Sequence, residues 1–390
     1  MESVYHELRH YFEHTPHGFP RTSDGIELKI LKKLFTLEHA NIFNHILKTK
    51  SKLKGYTSAS NKKLQNSLKI SELELKQKLD DMSKKGLLFR QRLNNDINHP
   101  IYYTPGFIVG LYEYSLNTID QEFADLCRQY IKHLADWANS INTKQMRIIP
   151  INKSLDTHKT ILPYNNINDL IKNHSIIAIA ECICAKEASL LGEKCDHPTE
   201  RCVTFDWYAE HYIDTGLGRE ISETEMNDIL KMAEKSGLVF ASSNTYPSIG
   251  FCLCCSCCCS MFKILRYAPN PAKTANSFYY AEIQQDNCIQ CDLCNQKCFI
   301  NAIKMQNEKY SVDVDRCIGC GLCVASCPQS AIQMIDKQLN IKIPSGTIPM
   351  CLDMYEDHIH AGHFPKIDLI KVKMAKSVIK TSSLIKNFSK

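Results

Sequence analysis

No run of about 18 consecutive apolar residues occurs in this chain, so no membrane-crossing helix is expected. The opening stretch, MESVYHELRHYFEHTPHGFP, lacks the apolar centre of a secretory leader. Nucleotide-binding glycine loops, flavin fingerprints and Ser/His/Asp arrangements are missing too, which leaves a self-contained enzyme little chemistry to draw on. Net charge is only +5, so its distribution matters more than its total. What the chain has in excess is cysteine, 20 of its 390 residues. Many cysteines without an export leader point to metal rather than disulfides, and to a reducing cytoplasm in a host that avoids oxygen. The length calls for roughly two to four domains.

Eight of the cysteines form two ladders, Cys288, Cys291, Cys294, Cys298 and Cys317, Cys320, Cys323, Cys327, each reading C-x2-C-x2-C-x3-C. Every cysteine of the first reappears 29 positions later, as do Ile283 as Val312, Asp286 as Asp315, Ala302 as Ala331, Ile303 as Ile332 and Met305 as Met334. This is an internal duplication. A [4Fe-4S] cube needs four thiolates, of which a wrapping loop supplies three; the fourth cysteine of each ladder is expected to open a helix pointing away and to ligate the neighbouring cluster. That rule groups Cys288, Cys291, Cys294 and Cys327 around one cluster, and Cys317, Cys320, Cys323 and Cys298 around the other. Gly319 and Gly321 suit a loop whose amides come close to the sulfides. Structural zinc fits C-x2-C pairs but not two interlocked runs of four. Residues 281–336 resemble the bacterial two-cluster ferredoxins. Phe299 departs from that pattern, which has proline after the fourth cysteine, and should change packing without removing a ligand.

Ten further cysteines lie between residues 182 and 259. The apolar run Ser175–Ala180 is a strand that feeds Cys182 and Cys184, with Cys195 and Cys202 following. Four thiolates in so short a span can close a tetrahedral site for an iron–sulfur cluster or for zinc, with His197 within reach. Cys252, Cys254, Cys255, Cys257, Cys258 and Cys259 then place six thiols in eight residues. Adjacent side chains diverge, so they cannot all serve one cube; ten thiols suffice for two sites or for one larger cluster, with disulfides as the alternative. Cys182, Cys184, Cys195 and Cys202 are expected to join part of the Cys252–Cys259 run around iron rather than zinc. A capping box at Ser222–Glu225 starts a helix, and Leu238–Phe240 should be the next strand. The order C-I-C, C-D-H-P, C-x-C-C-x-C-C-C before two ladders resembles a group of multi-cluster iron–sulfur proteins of anaerobes with a winged-helix-like N-terminus. That resemblance implies no particular reaction. Ala185 stands where the pattern has arginine.

Before residue 150 the periodicity predicts a helix from Ile26 to Lys50, a second from Ser60 to Leu68, and a third opened by the capping box Ser71–Glu74 and closed by Gly86. Strands at Leu87–Gln91 and Ile101–Thr104 flank a polar wing, Asn94–His99. This order resembles a winged helix-turn-helix. Lys76, Lys78, Lys84, Lys85, Arg90 and Arg92 supply positive charge as DNA binding needs, but Glu72, Glu74, Asp80 and Asp81 on the same helix would repel phosphate, so protein docking is favoured over nucleic acid. Residues 107–141 read as helix, with Cys127 in its core. Beyond Pro365, Ile370, Met374 and Val378 recur at helical spacing among seven lysines (Lys366, Lys371, Lys373, Lys376, Lys380, Lys386, Lys390). Such a basic amphipathic helix can pack on the protein itself or rest on an acidic partner or lipid surface. His358, His360 and His363 read as a surface loop.

The fold class expected is α+β: a winged-helix-like domain (1–150), a cysteine-rich α/β domain (151–266), a two-[4Fe-4S] ferredoxin-like domain (267–348) and a basic helical tail (349–390). The function expected is low-potential electron transfer through two [4Fe-4S] clusters to or from a further cysteine-ligated iron–sulfur site. The partner is a redox protein, with self-association through the N-terminal domain as a further expectation. A reductase centred on the upper cluster and a redox-sensing DNA-binding regulator are the alternatives.

Overall fold

The computed structural model describes residues 2–48, 61–93, 96–151, 154, 166–172, 174–339 and 343–388. Helices α1 (Glu2–Glu13), α2 (Ile26–Leu34) and α3 (Leu37–Lys48) bury Leu8, Phe12, Ile30, Phe35 and Phe43 in one core. The single helix expected from Ile26 is broken. Phe35 is extended, its ring lies edge-on against Phe43, and the Thr36 hydroxyl accepts from the His39 N–H at 3.2 Å to start α3. Aromatic packing here outweighs an unbroken helical period. Helices α4 (Asn61–Leu68) and α5 (Glu72–Lys84) follow; Ser60, expected to open the former, lies outside the described residues. The Ser71 hydroxyl accepts from the Glu74 N–H at 3.2 Å at the start of α5.

Strands β1 (Phe89–Leu93) and β2 (Asp96–Tyr103) form an antiparallel hairpin. Asn98 and His99, expected in a wing, are strand residues; Asn94 and Asn95 lie outside the described residues. Nor is 107–141 one helix. Phe107–Leu111 is an irregular turn with Val109 at φ 51°, followed by α6 (Tyr112–Tyr114) and by α7 (Gln121–Asn139), which starts where Asp120 accepts from the Phe123 N–H at 2.9 Å. A β-branched residue in the left-handed region is strained.

The sheet that carries the upper cysteines comes next. Its strands are β3 (Met146–Ile149), β4 (Ile177–Glu181), β5 (Glu200–Phe205), β6 (Gly218–Glu220), β7 (Val239–Ser243) and β8 (Gly250–Cys254), in the order β3-β7-β8-β5-β4-β6. Helices α8 (Ile167–Ile171), α9 (Ile183–Leu190), α10 (Asp206–Thr215) and α11 (Glu223–Lys235) connect them. Every pair is antiparallel, so the unit is α+β in build rather than the α/β unit expected. Strand alternation gives the sheet two different faces. Ile177, Ile179, Val203, Phe205, Phe251 and Leu253 join the core shared with the C-terminal part. Ala178 and Ala180 join Tyr208, Tyr212 and the N-terminal helices. On that second face Ala180, Cys202, Cys252 and Ala241 are register neighbours across four strands. A row of side chains this small leaves space above it.

Most of the N-terminal positive charge is engaged within the protein. Arg90 is 9% exposed and pairs with Asp80 and with Asp214 of α10, Arg92 binds Asp214 at 2.6 Å, and Lys78 and Lys85 pair with Glu38 and Asp81. The Asp214 side chain is 3% exposed and clamps both arginines of the hairpin to the sheet unit. Asp214→Ala should therefore destabilise the chain by about 3–5 kcal/mol, the usual cost of stranding buried charge, read as a shift in the chemical-denaturation midpoint.

After α12 (Ser260–Tyr267) and α13 (Pro271–Thr274), the duplicated segment folds as β9 (Tyr279–Ile283), α14 (Leu293–Lys297), β10 (Ile303–Gln306), β11 (Lys309–Val312), α15 (Leu322–Ser326) and β12 (Ile332–Asp336). Strand β9 pairs with β12 and β10 with β11, both antiparallel. The repeat extends to the backbone: Gln290 and Gly319 have φ of 56° and 65°, Asp292 and Gly321 64° and 80°, Asn301 and Ser330 54° and 50°. Glycine is needed in the second copy because a Cβ at Gly319 would stand 2.3 Å from the Tyr279 carbonyl oxygen, and one at Gly321 2.2 Å from the Ser154 hydroxyl.

The chain ends in α16 (Thr347–His360) and α17 (Asp368–Phe388). Val372 and Leu369 seat α17 on Ile359 and Phe364, so Ile370 and Met374 face outward, 63% and 64% exposed. Lys386 lies where side chains are not described, and Lys390 outside the described residues. Among the described residues no helix is long and apolar enough to cross a membrane. Of the three histidines expected in a surface loop, His358 and His363 are instead part of a clasp, while His360 is exposed at the end of α16. His358 is fully buried, its Nε2 donates to the Pro16 carbonyl at 3.0 Å, and its Nδ1 meets His363 Nδ1 at 2.9 Å. Since Nε2 is the donor in the neutral ring, His363 Nδ1–H must donate to His358. Burial pushes the His358 pKa down to about 4. The unfolded chain takes up this proton near pH 6.5 and the folded one does not, so the stability is present above pH 6.5 and lost toward pH 4, at about 1.4 kcal/mol per unit. His358→Gln should flatten the fall of the thermal midpoint between pH 7 and pH 5.

Candidate metal centres

In the duplicated module the four ladder sulfurs of each copy divide between two places. Cys288, Cys291, Cys294 and Cys327 line one pocket, with Ile283, Leu293, Pro328 and Ile332 as its apolar wall. Cys298 is a charge neighbour of Cys317, and both bear on Cys320 and Cys323. The geometry has a local cause. Each fourth cysteine closes a one-turn helix rather than opening one as expected, and its sulfur accepts from the amide four residues on, Ala302 N–H to Cys298 and Ala331 N–H to Cys327, both at 3.3 Å. A third amide, Ala281 N–H, points at Cys317 Sγ from 3.4 Å. Such N–H···S contacts favour the thiolate and tune the reduction potential of a bound cluster. Asp292, at the left-handed position matching Gly321, is fixed by the Tyr310 hydroxyl at 2.5 Å.

The upper ten divide in a way the sequence spacing did not suggest. Cys182, Cys184, Cys195 and Cys202, read as one tetrahedral set, are separated. Cys195 joins Cys255, Cys257 and Cys258, all four sulfurs within 4.8 Å of one another. Cys195 stands 3.9, 3.6 and 3.6 Å from those three. A tetrahedral ion with bonds of about 2.3 Å sets its sulfurs about 3.8 Å apart, whereas a cube holds them further away. His197 is not in this group.

The other six sulfurs, Cys182, Cys184, Cys259, Cys254, Cys252 and Cys202, form an arc along one pocket, each an electrostatic neighbour of the next. The six-cysteine run is thus shared between two sites. Its strand half sends Cys252 and Cys254 to one face of β8, as a period of two requires. Cys255, Cys257 and Cys258 lie on the turn beyond, and Cys259 stands at the N-cap position of α12 as Cys182 does at that of α9. Two helix N-termini therefore direct their partial positive charge at this arc. Among the described residues all twenty cysteines are free thiols.

Two residues, Arg201 and Glu113, were not legible in advance, and the packing expected of Phe299 found its partner. Arg201 is 1% exposed and donates to Cys195 Sγ at 3.5 Å and Cys258 Sγ at 3.8 Å, while its Nε and Nη1 have no hydrogen-bond partner. Burial alone would lower its pKa; the thiols of Cys182, Cys255 and Cys258 outweigh that and raise it. The guanidinium thus lies between both upper groups. Glu113, in α6, faces Cys184 and Cys252 from the far wall, where burial pushes its pKa up to about 8. Phe299 has a partner: its ring lies 4.5 Å from that of Phe262, three residues after Cys259. An arginine in a strand and a glutamate in an apolar turn carry no motif, so only the fold could bring them here.

No curated protein and no solved structure matches the chain. Residues 281–334 match the family model of the 4Fe-4S dicluster domain, which covers the duplicated module and not the rest. With that match and the cysteine groups above, the cofactors of this chain are iron–sulfur centres, and the matched module is one suited to electron transfer.

Proposed function

We propose that the chain passes single low-potential electrons between two [4Fe-4S] clusters in residues 281–334 and a further cysteine-ligated iron–sulfur site on the six-stranded sheet. On this reading Cys288, Cys291, Cys294 and Cys327 hold one cluster, and Cys317, Cys320, Cys323 and Cys298 the other. The observation that carries it is the exchange of the fourth cysteines, since a pair of independent zinc sites would have no use for it. The Phe262–Phe299 contact supports a short route between the ladder and the upper cysteines, because it joins the residue after Cys298 to the helix opened by Cys259. A redox protein is the partner, and the exposed Ile370 and Met374 beside Lys371 and Lys373 on α17 offer a surface to an acidic one.

The N-terminal region is proposed as a winged-helix-like docking module. DNA contact is disfavoured because Arg90 and Arg92 are spent on Asp214 and Lys76 donates to the Asn98 carbonyl at 3.0 Å. A potentiometric EPR titration of the protein prepared without oxygen tests the main reading. Two interacting one-electron centres should appear at low potential, and a protein with no reducible centre would refute it.

A further inference from the structure

The arc of six sulfurs borders a cavity of about 250 Å³ between the small-residue face of the sheet and the strained turn that carries Val109. Tyr112, Glu113, Tyr208 and Tyr212 also line it. A single water needs only about 10–15 Å³, so this space is far larger than one water requires. Cys182, Cys184, Cys202 and Cys252 are half-buried and Cys254 and Cys259 are buried, and all six line this space. Arg201 lines the same cavity, and its orphan Nε and Nη1 are buried donors with no acceptor in the protein. A buried cation with unused donors beside six thiols calls for an anion.

Resting on the electron-transfer reading above, we propose that Cys182, Cys184, Cys202, Cys252, Cys254 and Cys259 together ligate one polynuclear iron–sulfur cluster larger than a cube, separate from the Cys195 group. The ligand count decides the size. A cube has four irons and takes four terminal thiolates, and the arc offers six without a gap. Cys195, Cys255, Cys257 and Cys258 form their own close grouping, all four sulfurs within 4.8 Å of one another.

The test uses the full chain prepared without oxygen, with each of the six cysteines replaced singly by serine and with Cys195→Ser and Cys127→Ser as controls. EPR and Mössbauer spectra are recorded together with iron per chain, and the ladder signals report that each variant has folded. All six replacements should alter one shared spectral component, and the severest should remove more than four irons per chain. Both controls should leave that component unchanged. Two silent positions among the six would mean an ordinary cube with spare thiols and would overturn the proposal. So would six variants with unchanged iron. A parent protein lacking the ladder signals would instead bring down the electron-transfer reading itself.

Discussion

Cys298→Ala is expected to abolish the cluster held by Cys317, Cys320 and Cys323, although Cys298 belongs to the other ladder in sequence. Its sulfur is a charge neighbour of Cys317, Cys320 and Cys323, and the pocket of Cys288, Cys291 and Cys294 is completed by Cys327 instead. The spectrum of Cys298→Ala should therefore coincide with that of Cys320→Ala and differ from that of Cys291→Ala, with about four irons lost per chain. Coincidence with Cys291→Ala would show that each ladder keeps its own four sulfurs.

Arg201→Met should have the next largest effect. Methionine keeps an apolar stem of similar reach but removes the buried positive charge bordering both upper thiol groups. Two donated contacts, to Cys195 and Cys258, disappear, and the thiolates lose their compensating cation. Stranding buried charge costs about 3–5 kcal/mol, so the chain should unfold at clearly lower denaturant. The upper centre should also become harder to reduce, because removing a nearby cation and its hydrogen bonds disfavours added negative charge. The ladder potentials should stay in place. Equal shifts in both would point to a global change rather than to this guanidinium.

The contrast between these two residues shows what the sequence can reveal. The ladder chemistry was legible because its ligands are spaced by one loop and repeated after 29 residues, and the cross-over follows from where a one-turn helix points its last cysteine. The capping boxes at Ser71 and Ser222 were legible for the same reason, being contacts between residues three apart. The division of the upper ten was not. Cys195 lies 60 residues from Cys255, and what joins them is the pairing of β5 with β8, a long-range event that local spacing does not encode. Arg201 reads as an ordinary strand residue until that sheet forms. The helix breaks at Phe35 and before Asp120 were hidden in apolar periods that tertiary packing overrode. The surface histidines were misplaced because burial of His358 depends on Pro16, at the other end of the chain.

The most direct measurement is the count of iron, sulfide and zinc per full-length chain prepared without oxygen. The ladders account for about eight irons, four in each of two cubes. Iron clearly above eight, with matching sulfide and no more than one zinc, is the expected result, because it requires the upper cysteines to carry an iron–sulfur centre of their own. Iron near eight with two or more zinc ions would contradict the account, reducing the sheet's ten thiols to structural staples that cannot pass an electron.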